Sequence, residues 1–322
     1  MSLSDSAEAP ASVGVVRGVI VGGPIVFWKR FESSILFLIN VVGAVLAIWW
    51  LTRNSPGAVE LSFFALSLCV TMLGIGVGVH RHFAHKSFEC GRVTRVLLAM
   101  AGMMACQGSI VKWVANHRRH HMHSDAPGDP HSPTVDGHGR DMSFARGMLH
   151  AHLGFLFDDT MTDFKVFAAD LLEDPMVMFF HRTRWFWYCA SFFFIPALFA
   201  LAFGGVEHVV GTILVGGILR TFFVLNAIAS VGSIGHTFGR VRFSMPHDNS
   251  RNNGFLALLT FGEGWHNNHH RHPRAAHVGL AWYEVDVNGA FIHLLARLGL
   301  AWSVVPHVGA KHARERRAAA AE

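Results

Sequence analysis

The sequence predicts an all-α integral membrane protein: four transmembrane helices in two hairpins, with a helical cap on one side of the bilayer. Three observations predict it. The chain of 322 residues is 51% hydrophobic with a mean hydropathy of +0.34, too apolar for an ordinary soluble protein of this size. It contains four apolar runs long enough to cross a hydrocarbon core, which takes about 20 residues. Lysine and arginine collect in the segments that those four crossings would leave on a single face.

Taken in order, the lead MSLSDSAEAPASVG (1–14) is polar and rich in small residues; it lacks the positive-then-apolar order of a cleaved signal and reads as disordered. One domain is expected over 15–305. ILFLINVVGAVLAIWWL (35–51) and LSFFALSLCVTMLGIGVGV (61–79) form the first hairpin, joined by TRNSPGAVE. FWYCASFFFIPALFALAFGG (186–205) and the run 208–235 form the second, joined by VEH. Both termini and the long middle region, 80–185, then share one side, and only Arg53 sits in an opposite loop, so the positive-inside rule makes the shared side cytoplasmic.

A fifth apolar run, VLLAMAGMMACQGSIV (96–111), separates two groups of histidines. If those histidines act together, it must lie in the interface or dip in and return. The run NGAFIHLLARLGLAWSVV, which carries His293 and Arg297, gets the same interfacial reading, and the basic tail 306–322 is a solvated helix or disordered.

The net charge of +5 raises nucleic acid as a partner, but only 15% of residues are charged and no dense basic block appears in the core. Cys69, Cys90, Cys106 and Cys189 show no CxxC spacing, so no disulfide framework or iron–sulfur site is implied.

Histidine carries the chemistry. There are 23, and they concentrate as HRHFAH (80–85), NHRRHH (116–121) and HNNHH (266–270), with His236 just past the fourth span. On a helix, positions i, i+3 and i+4 share a face, so His117, His120 and His121 are expected to converge on one point, and His266, His269 and His270 on another. With His80, His85 and His236 these make about nine candidate ligands, against roughly four for a single zinc, so two metals are implied. One HxxHH alone reads as a surface patch or half a structural zinc site. Two copies with an HxxxxH on one membrane face point to catalysis. His82, His123, His131 and His272 border the clusters, while His150, His152, His181, His208 and His277 have no paired spacing and read as structural.

A pair of irons would reduce O₂ and take hydrogen from an unactivated C–H bond; a zinc pair would imply hydrolysis instead. Ligands at the ends of membrane helices would let an acyl chain enter the apolar interior. Arg118 and Arg119 are read as contacts for a phosphate-bearing head group or as solvated side chains. Arg220 and Asn226 lie inside an apolar run, where polar groups are functional candidates, although helix–helix hydrogen bonding also explains Asn226.

From about residue 35 to 305 the chain resembles the acyl-CoA desaturase family of integral-membrane enzymes. The resemblance rests on GVGVHRHFAHKSF, WVANHRRHHMHSDAPGDPHSP, HAHLGFLF, DLLEDP, VLNA, SRNNGFLALLTFGEGWHNNHH and WYEVDVNGAFIHLLARLGLAW. It implies four transmembrane helices under a cytoplasmic cap, with a kinked substrate tunnel. It also implies two irons bound by His80, His85, His117, His120, His121, His236, His266, His269 and His270. Gln107 and Trp113 match positions lining the kink, with interfacial anchoring an equal reading for Trp113, and Asn226 matches the VLNA asparagine.

Two departures stand out. Gly232 occupies a position where related enzymes have an asparagine that helps ligate one iron through water, and Ile228 and Ala229 replace a threonine and a tryptophan that line the tunnel in animal enzymes. The expected activity is a cis desaturation, at Δ9, of a long saturated acyl chain on CoA, with a phospholipid or carrier protein as alternative carriers. O₂ is the co-substrate, and a separate ferredoxin or cytochrome b5 with its reductase supplies electrons; the cationic face with Arg118, Arg119, Arg271 and Arg274 suits an acidic donor. A hydroxylase or acetylenase would use the same irons, and a metal transporter would need more ionisable residues in the spans than Arg220.

Overall fold

The computed structural model describes residues 16–306. The lead expected over 1–14 and the tail beyond Pro306 lie outside the described residues.

Strand β1 (Val19–Val21) leads into α1 (Gly23–Leu51), which with α2 (Ala58–Ala84) forms the first hairpin. Both helices begin before the apolar runs that announce them, because hydropathy misses polar residues that are buried and paired. In the first turns of α1, the Lys29 ammonium donates to Asp158 Oδ1 at 2.6 Å, and Glu32 accepts from the Tyr188 hydroxyl at 3.0 Å. Higher up, α1 buries Leu36, Asn40, Gly43, Ala44 and Ala47 on one stripe and exposes Leu38, Val45, Ile48 and Trp49 on the other, as a lipid-facing helix must. Small residues in that stripe permit close packing: a side chain at Gly43 would run into Ile218.

After β2 (Glu89–Cys90), the fifth apolar run becomes two helices, α3 (Arg92–Met103) and α4 (Ile110–His123). The chain reverses between them through left-handed backbone at Cys106 (φ 56°) and Gly108 (φ 94°). Neither helix is long enough to span, so the histidines on either side stay at the same end of the bundle. Helix α5 (Phe144–His152), β3 (Thr160–Thr162) and α6 (Pro175–Arg182) continue the cap. The second hairpin is α7 (Arg184–Phe203) and α8 (Val206–Ser233). The rest of the cap follows as α9 (Gly254–Leu259), α10 (His266–Arg271), α11 (Val287–Arg297) and β4 (Ala301–Trp302). Antiparallel pairs β1–β3 and β2–β4 tie the cap to the start of α1 and to the C-terminal segment.

The two hairpin turns meet at the far end, where His208 Nδ1 lies 2.8 Å from Glu60 Oε1. The opposite ends of α2 and α8 carry His80 and lead into His236. Arg220, fully buried in α8, donates to the carbonyls of Gly216, Met104 and Ser191 and to the Ser191 hydroxyl, which secures the α3–α4 reversal against the bundle.

Candidate metal centre

The nine histidines implied by the resemblance gather into two adjoining groups. His80, His85, His117, His121 and His269 form one, and His120, His236, His266 and His270 the other, with the ligand nitrogens of each group within 4.8 Å of one another. The groups touch: the His121 and His270 rings lie 4.4 Å apart.

Local winding explains who joins which group. At about 100° per residue, positions i and i+5 of an α-helix point about 140° apart. Over Gly74–Ala84, however, α2 is wound as a π-helix, and the His85 amide donates to the His80 carbonyl at 3.1 Å. That wider turn stacks the two ends of HxxxxH. Each HxxHH, by contrast, is divided, which corrects the expectation that each triplet converges on one point. His117 and His121 serve the first group and His120 the second; His266 and His270 serve the second and His269 the first. Positions i+3 and i+4 diverge by about 100°, so a helix edge with three histidines addresses two sites at once.

Helix α10 has only six residues, too short to be stable alone. The two asparagines of HNNHH hold it. Asn267 Oδ1 accepts from the amides of Arg242 and Phe243, and Asn268 Nδ2 donates to Val278 O and Glu284 Oε2.

Carboxylates orient four of the rings through Nδ1. His80 meets Glu263 at 2.5 Å, His120 meets Asp129 at 2.9 Å, and His236 and His270 meet Asp125 and Asp248 at 2.7 Å each. An Nδ1–H donated to a carboxylate leaves Nε2 as the free lone pair, the arrangement that holds a metal-binding imidazole. The sequence reading missed these four acids, although each stands close to a histidine motif, in GEGWH, HSDAPGDP and PHDNS. Glu263 is fixed in turn by Arg81 and Asn288.

The electrostatics agree with neutral ligands. Burial, reinforced by the neighbouring imidazoles, pushes His85, His117, His121, His266, His269 and His270 well below the usual histidine range. His120 goes the other way: burial lowers it, but the carboxylates of Asp129, Asp125 and Asp248 together outweigh that effect. Burial would raise the Glu263 carboxyl, but His80 and Arg81 hold it down at about 2.

The donor set fits a pair of metal ions. The Nε2 atoms crowd together at 3.0 Å for His80 and His269, 2.7 Å for His85 and His117, 2.9 Å for His121 and His269, and 2.9 Å for His236 and His266. Nε2 of His120 and of His270 is buried without a partner among the described residues. Buried nitrogens are expensive to leave unsatisfied, and a cation on each group satisfies them together.

Both groups open onto an apolar cavity whose walls include His80, His117, His120 and His266 together with Leu36, Ile75, Leu225 and Ile228. Gln107 and Trp113 line it and are joined, the indole N–H donating to Gln107 Oε1 at 3.3 Å, while the Trp113 ring stacks on His117. Ile228, Ala229 and Gly232 line it as well, and a side chain at Gly232 would approach His131 Nδ1 at 3.4 Å. Asn226 is not on this wall; its Oδ1 lies 3.1 Å from Nε2 of His152, which is.

Arg118, read from the sequence as a head-group contact or a solvated side chain, takes a structural role. All five of its N–H groups are taken, by Asp170 and by the carbonyls of Phe83, Ala84 and Phe167. Arg119 is 1% exposed and donates to Gly128 O and Thr162 Oγ1.

Residues 58–286 match the family model for fatty acid desaturases. The chain belongs to the fatty acid desaturase family. It is 36% identical over 272 residues to a hex-5-enoyl-[acyl-carrier protein] acetylenase of Moorena producens, covering 84% of each chain. It is 33% identical over 268 residues to an sn-1 stearoyl-lipid 9-desaturase of Anabaena variabilis, covering 82% of this chain and 83% of the relative. To an acyl-CoA 5-desaturase of Anemone leveillei it is 32% identical over 286 residues, covering 86% and 82%. As a fatty acid desaturase it is an oxidoreductase, and its two histidine groups are arranged to hold metal.

Proposed function

We propose that this desaturase introduces a cis double bond, at Δ9, into a long saturated acyl chain, using O₂ and two irons held by the nine histidines. The observation that carries this is the pair of imidazole groups in the wall of one apolar cavity, where a methylene chain can lie beside both. When bound, the irons would supply the O₂-dependent oxidation of an unactivated C–H bond.

The chain's own residues do the rest. Asp125, Asp129, Asp248 and Glu263 keep four ligand rings in the metal-binding tautomer. Trp113, braced by Gln107 and stacked on His117, presses the acyl chain toward the first group, and the apolar wall excludes water. Position within the cavity decides which C–H is attacked.

The site faces the cytoplasm by the positive-inside rule. Electrons come from a separate protein, and the exposed Arg271 and Arg274 beside α10 suit an acidic donor such as a ferredoxin or cytochrome b5. The acyl group arrives on CoA, with carrier protein or phospholipid as the alternatives. The similarity to the Moorena enzyme favours acetylenase activity as the second reading, since both chemistries need the same site.

Expression in a host that lacks its own desaturase tests the proposal. Mass spectrometry should find new Δ9 monounsaturated chains, abolished by His269→Ala at unchanged protein abundance. Triple bonds would move the assignment to the second reading, and unchanged lipids in cells containing the iron-loaded protein would refute both.

A further inference from the structure

The apolar cavity has a polar annexe. A smaller pocket shares Lys112, Asn116, Phe155 and Leu156 with it and continues past Arg119, Asp158 and Thr162. Lys112, Asn116 and Arg119 stand at i, i+4 and i+7 of α4, so one face of that helix supplies the pocket while a neighbouring face supplies histidines.

The charges in this pocket are not all paired. Lys29 is saturated by Asp158 and by the carbonyls of Phe155 and Thr160. The Lys112 ammonium makes no hydrogen bond to the described residues; its nearest carboxylate, Glu32, is 3.9 Å away and is shared with Arg184 and Tyr188. Its side chain is only 12% exposed. Nη2 of Arg119 is buried with no partner among the described residues. Two cations thus offer unused donors beside an otherwise apolar channel, and a buried donor without an acceptor is costly.

We propose that Lys112 and Arg119 Nη2 form the subsite for the carbonyl oxygen of the acyl substrate. The assignment rests on the desaturase function proposed above. A fatty acyl chain is apolar up to its ester or thioester carbonyl, whose oxygen only accepts. The pocket has a volume of about 20 Å³, against the roughly 10–15 Å³ needed by one water-sized group. It therefore suits a single oxygen and is too small for a phosphate. With the carbonyl fixed here, the methylenes are counted from the carboxyl end, and sliding the chain along the cavity strips the oxygen of its donors. Lys112 and Arg119 act as specificity residues that set the double-bond position without touching the reacting carbon.

Binding to the iron-loaded protein without reductant tests this directly. Stearoyl-CoA is compared with the thioether of CoA that has a methylene in place of the carbonyl, and a diacyl phosphatidylcholine with its dialkyl ether. In whichever carrier binds, the carbonyl form should be favoured ~10- to 100-fold, the worth of a hydrogen bond to a charged donor. Lys112→Met should cut that preference to about two-fold and scatter the double bonds over several positions at unchanged iron content; Lys112→Arg should restore both. A preference that survives Lys112→Met, or its absence in the wild type, overturns the subsite. Turnover without that preference leaves the desaturase function standing, whereas failure of all four ligands to bind counts against the function itself.

Discussion

Asp125 Oδ2 lies 2.7 Å from Nδ1 of His236, and neither side chain has any exposed surface. The same oxygen accepts the amide of Asn249, so the carboxylate is fixed before it fixes the ring. The pair joins the α4–α5 connection to the end of α8 and belongs wholly to the second histidine group.

Asp125→Asn should therefore weaken one metal and spare the other. Loss of an orienting partner typically costs 10–100-fold in metal affinity. Elemental analysis of the purified variant should find about one iron per chain rather than two. Full retention of both would show that the carboxylate does not govern the site.

Gly76→Ala should damage the first group from a distance. A methyl at Gly76 would collide with the Asn288 side chain, which is fully buried and donates to Glu263 at 2.7 Å; Glu263 in turn orients His80. Overpacking of this kind costs about 1–3 kcal/mol. The thermal midpoint should fall, and iron should be lost from the group containing His80. A variant of wild-type stability and iron content would break this chain of contacts.

Gly232→Ala should fold as well as the wild type. The added methyl meets His131 at ordinary van der Waals distance, and alanine is preferred to glycine inside a helix by about 1 kcal/mol. A thermal midpoint equal to or above that of the wild type is expected, with altered product distribution because the methyl enters the cavity wall. A large loss of stability would mean that the backbone itself requires glycine there.

Glu263→Gln should be the most destabilising of the orienting substitutions. It leaves the buried Arg81 with only Asp286 as a counter-charge, and breaking a buried pair costs about 3–5 kcal/mol. Thermal unfolding should place it below Asp125→Asn; the reverse order would contradict the role given to Arg81.

Much of this was legible in the sequence. Four spans follow from apolar length, and the failure of the fifth run to cross follows from the need to keep His80 and His117 on one side. The histidines announce themselves by number and spacing. What the sequence hid is geometry that composition does not encode. The π-wound end of α2 depends on how the backbone closes its hydrogen bonds, and the split of each HxxHH depends on where a second site stands. Asp125, Asp129, Asp248 and Glu263 were invisible as ligand supports because isolated acids near histidines have many ordinary explanations. Arg118 was open to two readings, a head-group contact or a solvated side chain, yet Asp170, 52 residues away, claims it. Lys112 drew no notice beside Trp113, since only folding places it in the wall of a pocket.

The central claim is that two metals are held by rings drawn crosswise from the same sequence boxes, and iron content after single substitutions tests it most directly. Wild-type protein should carry two irons per chain. His120→Ala and His266→Ala should each lose the same iron, and His117→Ala and His269→Ala should each lose the other, as read by Mössbauer spectra of the iron that remains. A grouping by box instead, with His117 and His120 serving one metal and His266 and His269 the other, would contradict the account.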